Sequence, residues 1–176
     1  FTMHGYQIWV AMPKELEDID PSFHHIPASD LPSWEDDGAQ FKLVAGKGYG
    51  KNSPVPVNSD LFMIDVKTTQ DYDLCVADQL KGEIGVTIVE GSVIACDDEI
   101  SAGNMLVSKT EDVCDITIKA GSHILLFGGE PLPEKRYIHW NFVSHSQEKI
   151  EVAKEAWVNK NFPMMDGDHS YVVLPK

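Results

Sequence analysis

An all-β fold, a sandwich or barrel with one C-terminal helix, is what this sequence of 176 residues predicts. Three observations carry the prediction. Short runs of β-branched and aromatic residues recur from Gln40 to Phe127, a length suited to strands. Turn signals punctuate them: Gly46-Lys47-Gly48, Glu90-Gly91, Ala102-Gly103-Asn104 and Ala120-Gly121. Only Ser144–Lys160 has convincing helical spacing, with Ile150, Ala153 and Trp157 on one face.

Taken in order, residues 1–13 open with a stretch, His4–Pro13, that reads as a strand stopped by proline. Residues 14–39 are acidic and carry Pro21, Pro27 and Pro32, so a linker is expected. The barrel proper is expected over 40–132, with strands at 40–45, 61–67, 84–89, 92–95, 105–108, 116–119 and 123–127. An extension over 133–176 holds the helix at 144–160, where Ser144 and Gln147 have capping-box spacing. Asn161-Phe162-Pro163 ends the helix, and Tyr171–Pro175 is a last extended piece.

Hydrophobic residues make up 43% of the chain, enough for a sizeable core. Against 14 basic residues stand 28 acidic ones, a field that repels phosphate backbones and anionic lipid. Direct nucleic-acid or membrane binding is therefore not expected. No apolar run approaches the roughly 18–20 residues that cross a bilayer, and no secretory leader opens the chain. Cys75, Cys96 and Cys114 are widely spaced and odd in number, so three free thiols in a reducing cytoplasm are expected. The first residue is Phe1 rather than Met, which suggests a piece of a longer protein.

Three motifs resemble the pirin family. His4-Gly5-Tyr6-Gln7-Ile8-Trp9-Val10-Ala11-Met12-Pro13 is similar to the segment joining the two barrels of such proteins. Gly46-x-x-x-Gly50 followed by Ser53-Pro54-Val55 resembles the entry to their second barrel. Most specific is Gly128-Gly129-Glu130-Pro131-Leu132, then Arg136-Tyr137-Ile138 and Trp140-Asn141-Phe142-Val143-Ser144. Lys135 and His139 depart from the pattern, where a proline and a bulky aromatic are usual. The resemblance implies a cupin-type antiparallel barrel (a double-stranded β-helix), the C-terminal half of a bicupin. It also implies a missing N-terminal cupin holding a mononuclear metal, commonly iron, through three histidines and a glutamate. Members of the family are described as quercetin-cleaving dioxygenases and as transcriptional cofactors.

A cupin metal site needs paired imidazoles two residues apart on one strand, pointing into the barrel. No His-x-His occurs here, and His24 and His25, being adjacent, point to opposite sides of an extended chain. No metal and no cofactor are therefore expected in this chain. Gly46, Gly48 and Gly50 lack the Lys-Ser/Thr pair and following helix of a phosphate loop, and no Gly-x-Ser-x-Gly elbow is present. Asp97-Asp98-Glu99 reads as an exposed hairpin tip. No catalytic residue is expected.

Trp9, Trp140, Phe142 and Trp157 flank the predicted barrel. They either pack on their own barrel or form an interface with the missing first one, since aromatic anchors dominate such contacts. The expected function is thus a structural or regulatory support for a metal-holding N-terminal cupin, with any dioxygenase activity in that half. Without it, self-association is expected. The alternative is a module that binds a small apolar ligand or a regulatory protein partner.

Overall fold

Period-two alternation sets the strands of the larger of two units, Pro21–Pro131. The computed structural model describes residues 3, 5–108, 116–163 and 166–175. In chain order the strands of this unit are β1 (Ser33–Asp36), β2 (Ala39–Gly48), β3 (Lys51–Asn52), β4 (Leu61–Thr68), β5 (Tyr72–Leu74), β6 (Glu83–Glu90), β7 (Ser92–Ala95), β8 (Asp98–Ser101), β9 (Met105–Ser108), β10 (Ile116–Ile118) and β11 (His123–Gly129). One sheet runs β1-β2-β4-β11-β6-β9, with β3 on β2, and a second runs β5-β10-β7-β8. The pairings are antiparallel throughout.

β4 illustrates the rule. Phe62, Ile64 and Val66 are buried, whereas Leu61, Met63, Asp65 and Lys67 point to the other face. The inward residues of both sheets meet in one apolar core, centred on Leu43, Ile64, Val66, Ile88, Ile118, Ile124 and Leu126. Burying each such side chain contributes about 1.5–3 kcal/mol. The core also draws in Trp34 of β1, whose ring stacks on Phe41 at 5.0 Å.

Two-residue hairpins close three of the ladders. Asp37-Gly38, Tyr49-Gly50 and Cys96-Asp97 all have positive φ at both positions, the geometry that matches strand twist. β1 thus grows out of the stretch expected to be a linker, because Asp-Gly supplies that turn.

The motif glycines are explained by close backbone approach. A Cβ on Gly46 would lie 1.7 Å from the Leu61 carbonyl oxygen, and one on Gly128 would lie 1.9 Å from that of Glu83. Only glycine fits where those ladders pass.

The expectation of three free thiols is overturned. Cys75 is a free, exposed thiol, but Cys96 is disulfide-bonded. Cys114 lies outside the described residues. The argument for a reducing compartment from unpaired cysteines falls with it.

The smaller unit combines Phe1–Asp20 with Leu132–Lys176. It holds β12 (Tyr137–His139) paired with β13 (Phe142–Ser144), then α1 (Gln147–Val158). The N-cap of α1 is Ser146, whose hydroxyl oxygen accepts from the Lys149 backbone N–H at 3.3 Å. The capping box expected at Ser144 is not formed, because that hydroxyl is committed elsewhere. Residues 5–13 run without a β-ladder, so the strand predicted there is not seen among the described residues. A sequence suited to a strand still needs a partner strand. His4 lies outside the described residues.

Candidate functional site

The lumen is the first place to look for chemistry in such a barrel. Here it is filled by aliphatic and aromatic side chains. The sole imidazole on the described strands of this unit is His123 of β11, which alternates with Ile124 and Leu126 of the core and so faces outward. Its Nε2 lies 2.8 Å from Asp65 Oδ2 on β4. Among the described residues no three His, Cys, Asp or Glu side chains gather as a metal-holding group. The described side chains of this lumen do not fit a mononuclear metal.

The outward faces of the two sheets differ. On the four-stranded sheet, Asp73, Thr117, Ile94 and Glu99 form a mostly polar row, with Thr117 donating its hydroxyl to Asp73 at 2.7 Å. On the larger sheet, register aligns Val107, Gly85, Phe127, Met63 and Ala45 in an apolar row across five strands. The adjacent row is Met105, Thr87, Leu125, Asp65 and Lys42, and the next begins His123, Lys67 and Gln40. This outer face therefore grades from apolar to charged. Leu125 is only 3% exposed, whereas Met105 and Val107 are 54% and 67% exposed. Apolar exposure is thus confined to the β9 end of the face, since Ala45, Met63 and Phe127 are half-buried and Gly85 is buried.

The smaller unit has its own polar hub. Glu17 follows a short 3₁₀ turn at Lys14–Leu16, and its side chain is 6% exposed. Its Oε2 accepts from the Ser144 hydroxyl at 2.9 Å and sits 2.7 Å from His145 Nδ1. An ionised carboxylate only accepts, so Nδ1 carries the proton of that bond. Oε1 accepts from the His145 backbone N–H at 2.8 Å and lies 3.3 Å from Arg136 Nε. Arg136 also donates to the Met12 carbonyl from Nε at 3.2 Å and Nη2 at 3.0 Å. Burial alone pushes the Glu17 carboxyl up. The hydrogen bonds from the His145 ring and backbone and from Ser144 outweigh it and hold the group at about 2, below the ordinary 4.5. The hub ties the chain's opening segment to β13 and the start of α1.

Beside it, the predicted interface aromatics largely come together. Trp140 meets Trp157 at 5.0 Å and Phe142 at 5.7 Å between ring centroids. Phe142 stacks on Phe162, and Trp157 stacks on Tyr171 while its Nε1–H donates to the Val172 carbonyl at 2.8 Å. Trp9 is not part of this cluster and is 56% exposed. Sequence reasoning missed Glu17, Arg136, Ser144 and His145 as a group. The one available signal is that Arg136 is the sole arginine of the chain.

Comparison with known proteins bears directly on this arrangement. The description "Pirin C-terminal cupin domain" fits residues 63–163, more than half of the chain. The chain belongs to the pirin family. It is 35% identical over 176 residues to a pirin-like protein of Caulobacter vibrioides, covering 99% of this chain and 60% of that protein. It is 25% identical over 156 residues to the pirin of Rattus norvegicus, covering 85% of this chain and 54% of that one. Among solved structures, the quercetin 2,3-dioxygenase of Acinetobacter baumannii superposes with a TM-score of 0.83 at 31% identity. That match covers 96% of this chain and 57% of the dioxygenase. The chain thus corresponds to the C-terminal half of pirin-like proteins, an all-β cupin with a C-terminal helix, and spans 54–60% of these relatives. No helix among the described residues is long and apolar enough to cross a membrane.

Proposed function

We propose that this pirin-family chain is a metal-free supporting cupin. It would dock against an N-terminal cupin that holds a metal, commonly iron, and carries out any oxygen-dependent cleavage of a flavonol-like substrate. The observation that carries this reading is the lumen packed with Leu43, Ile64, Val66, Ile88, Ile124 and Leu126. That packing leaves the interior to the core. The docking half of the reading rests on Met105 and Val107, two exposed apolar side chains of β9 at the edge of the outer face. It rests also on Trp9 in a segment with no ladder of its own. Separated from its partner, such a surface stays wet and favours association.

Light scattering coupled to gel filtration tests the docking half. The isolated chain is expected to self-associate at tens of micromolar, and Met105→Lys with Val107→Lys is expected to return it to monomer. Both positions are solvent-facing, so the double variant keeps the barrel. A wild-type chain that is monomeric throughout would contradict the docking surface.

A further inference from the structure

We propose that Asp166, which precedes Gly167 in the C-terminal tail, is a site of spontaneous isomerisation to isoaspartate, and that the fold protects Asp37 from the same reaction. The chemistry is intramolecular. The backbone nitrogen of the following residue attacks the side-chain carbonyl carbon, water leaves, and a five-membered cyclic imide forms. Water then adds back at either carbonyl. Addition at the former main-chain carbonyl leaves the chain running through the old side chain, with its mass unchanged. Glycine favours the attack because no Cβ shields its nitrogen. The rate then depends on how freely that nitrogen and the carboxyl carbon meet. Two Asp-Gly pairs occur in the chain, Asp37-Gly38 and Asp166-Gly167.

The two pairs sit in opposite circumstances. Asp37 and Gly38 form the turn of the β1–β2 hairpin, with φ of +38° and +77°. The Gln70 amide donates to the Asp37 carboxylate at 2.9 Å and to its backbone carbonyl at 3.1 Å. The Gly38 carbonyl accepts from the Thr69 N–H at 3.0 Å and from its hydroxyl at 3.1 Å. Turning the Asp37 carboxyl onto the Gly38 nitrogen would break these bonds and carry the turn out of the geometry that joins its strands. Asp166 and Gly167 are both exposed, and neither takes part in a hydrogen bond or ion pair among the described residues. A Cβ on Gly167 would meet nothing within 4 Å, so the space around it is open.

The place of the reaction gives it a consequence. Before it, Phe162 stacks on Phe142 at 5.8 Å. After it, Tyr171 stacks on Trp157 at 5.6 Å, and the Val172 carbonyl accepts from Trp157 Nε1–H. Isoaspartate at 166 adds one methylene to the main chain between these anchors and turns a main-chain carboxyl into a branch. The contacts of Tyr171 and Val172 with Trp157 therefore loosen as the chain ages. The inference stands apart from the docking reading, since it uses neither β9 nor Trp9.

The test is ageing of the purified chain at physiological temperature and pH. Isoaspartate is counted by methyl transfer from S-adenosylmethionine with a protein isoaspartyl methyltransferase, and is placed by peptide mapping. The Asp166 peptide is expected to gain label at least about tenfold faster than the Asp37 peptide, whose hairpin bonds must open first. Asp166→Glu would need a larger ring and is expected to remove that label, and its exposed position leaves the fold unchanged. Gln70→Ala is expected to raise the rate at Asp37. Tryptophan emission of the wild type is expected to shift to the red on ageing, and that of Asp166→Glu is not. Equal rates at the two Asp-Gly pairs would overturn the proposal. So would an unlabelled Asp166 in the chain when a free peptide of residues 163–170 gains label under the same conditions. Unchanged emission in converted chain would overturn the loosening of the tail.

Discussion

Glu17→Gln is expected to destabilise the smaller unit by about 3–5 kcal/mol, the usual consequence of breaking a buried ion pair from one side. The amide keeps the shape but removes the charge that faces Arg136, and it offers one acceptor where Ser144 and both His145 donors converge. Its NH₂ group would confront a donor. Tryptophan fluorescence during urea unfolding reports on this unit, because Trp140 and Trp157 lie in its aromatic cluster. The same residue sets an acid limit. With the folded pKa held at about 2 against an ordinary 4.5, the stabilisation is fully present above 4.5 and is lost as pH falls towards 2. An unchanged unfolding midpoint in the variant, or an acid transition that the substitution leaves in place, would show that the hub is not what holds the unit.

Gly46→Ala is expected to be as damaging for the barrel, by more than about 4 kcal/mol or by failure to fold. Its φ is +71°, and the added methyl would lie 1.7 Å from the Leu61 carbonyl oxygen, where β2 and β4 pair through Gly46 and Phe62. Backbone cannot give way there without parting the ladder. Gly50→Ala separates the two contributions. Its φ is +67°, but nothing lies within 4 Å of the added methyl, so only the left-handed conformation is penalised, by about 1–2 kcal/mol. Denaturant midpoints for the two variants that differ little would mean that the close approach is relieved by relaxation.

The strands of the core were legible in the sequence because burial on one face imposes a period of two. Leu61–Lys67 and Ile84–Val89 fall within β4 and β6 for that reason. β1, β5 and β8 were not legible. Ser-Trp-Glu-Asp, Tyr-Asp-Leu and Asp-Glu-Ile-Ser are short and acidic, and only their partners make them strands. The helix was found and its cap misplaced. Ser144 has the right spacing, but Glu17 outcompetes the helix for its hydroxyl across 127 positions of sequence, which no local pattern records. The graded outer face was equally hidden, since it appears only when register sets Phe127 beside Met63 and His123 beside Lys67. Of the four aromatics singled out from their flanking positions, Trp140, Phe142 and Trp157 meet each other, and Trp9 is left in the open. Position along the chain singled out all four alike, and only packing distinguishes Trp9 from the other three.

The central claim, a supporting barrel that holds no metal of its own, is tested most directly by the metal content of the purified chain after equilibration with iron, nickel and zinc and then dialysis. The account predicts only trace metal, unchanged by His123→Ala, because the described lumen side chains are aliphatic and aromatic and His123 faces outward beside Asp65. One tightly held equivalent of any of these metals, reduced by replacing barrel residues, would contradict it.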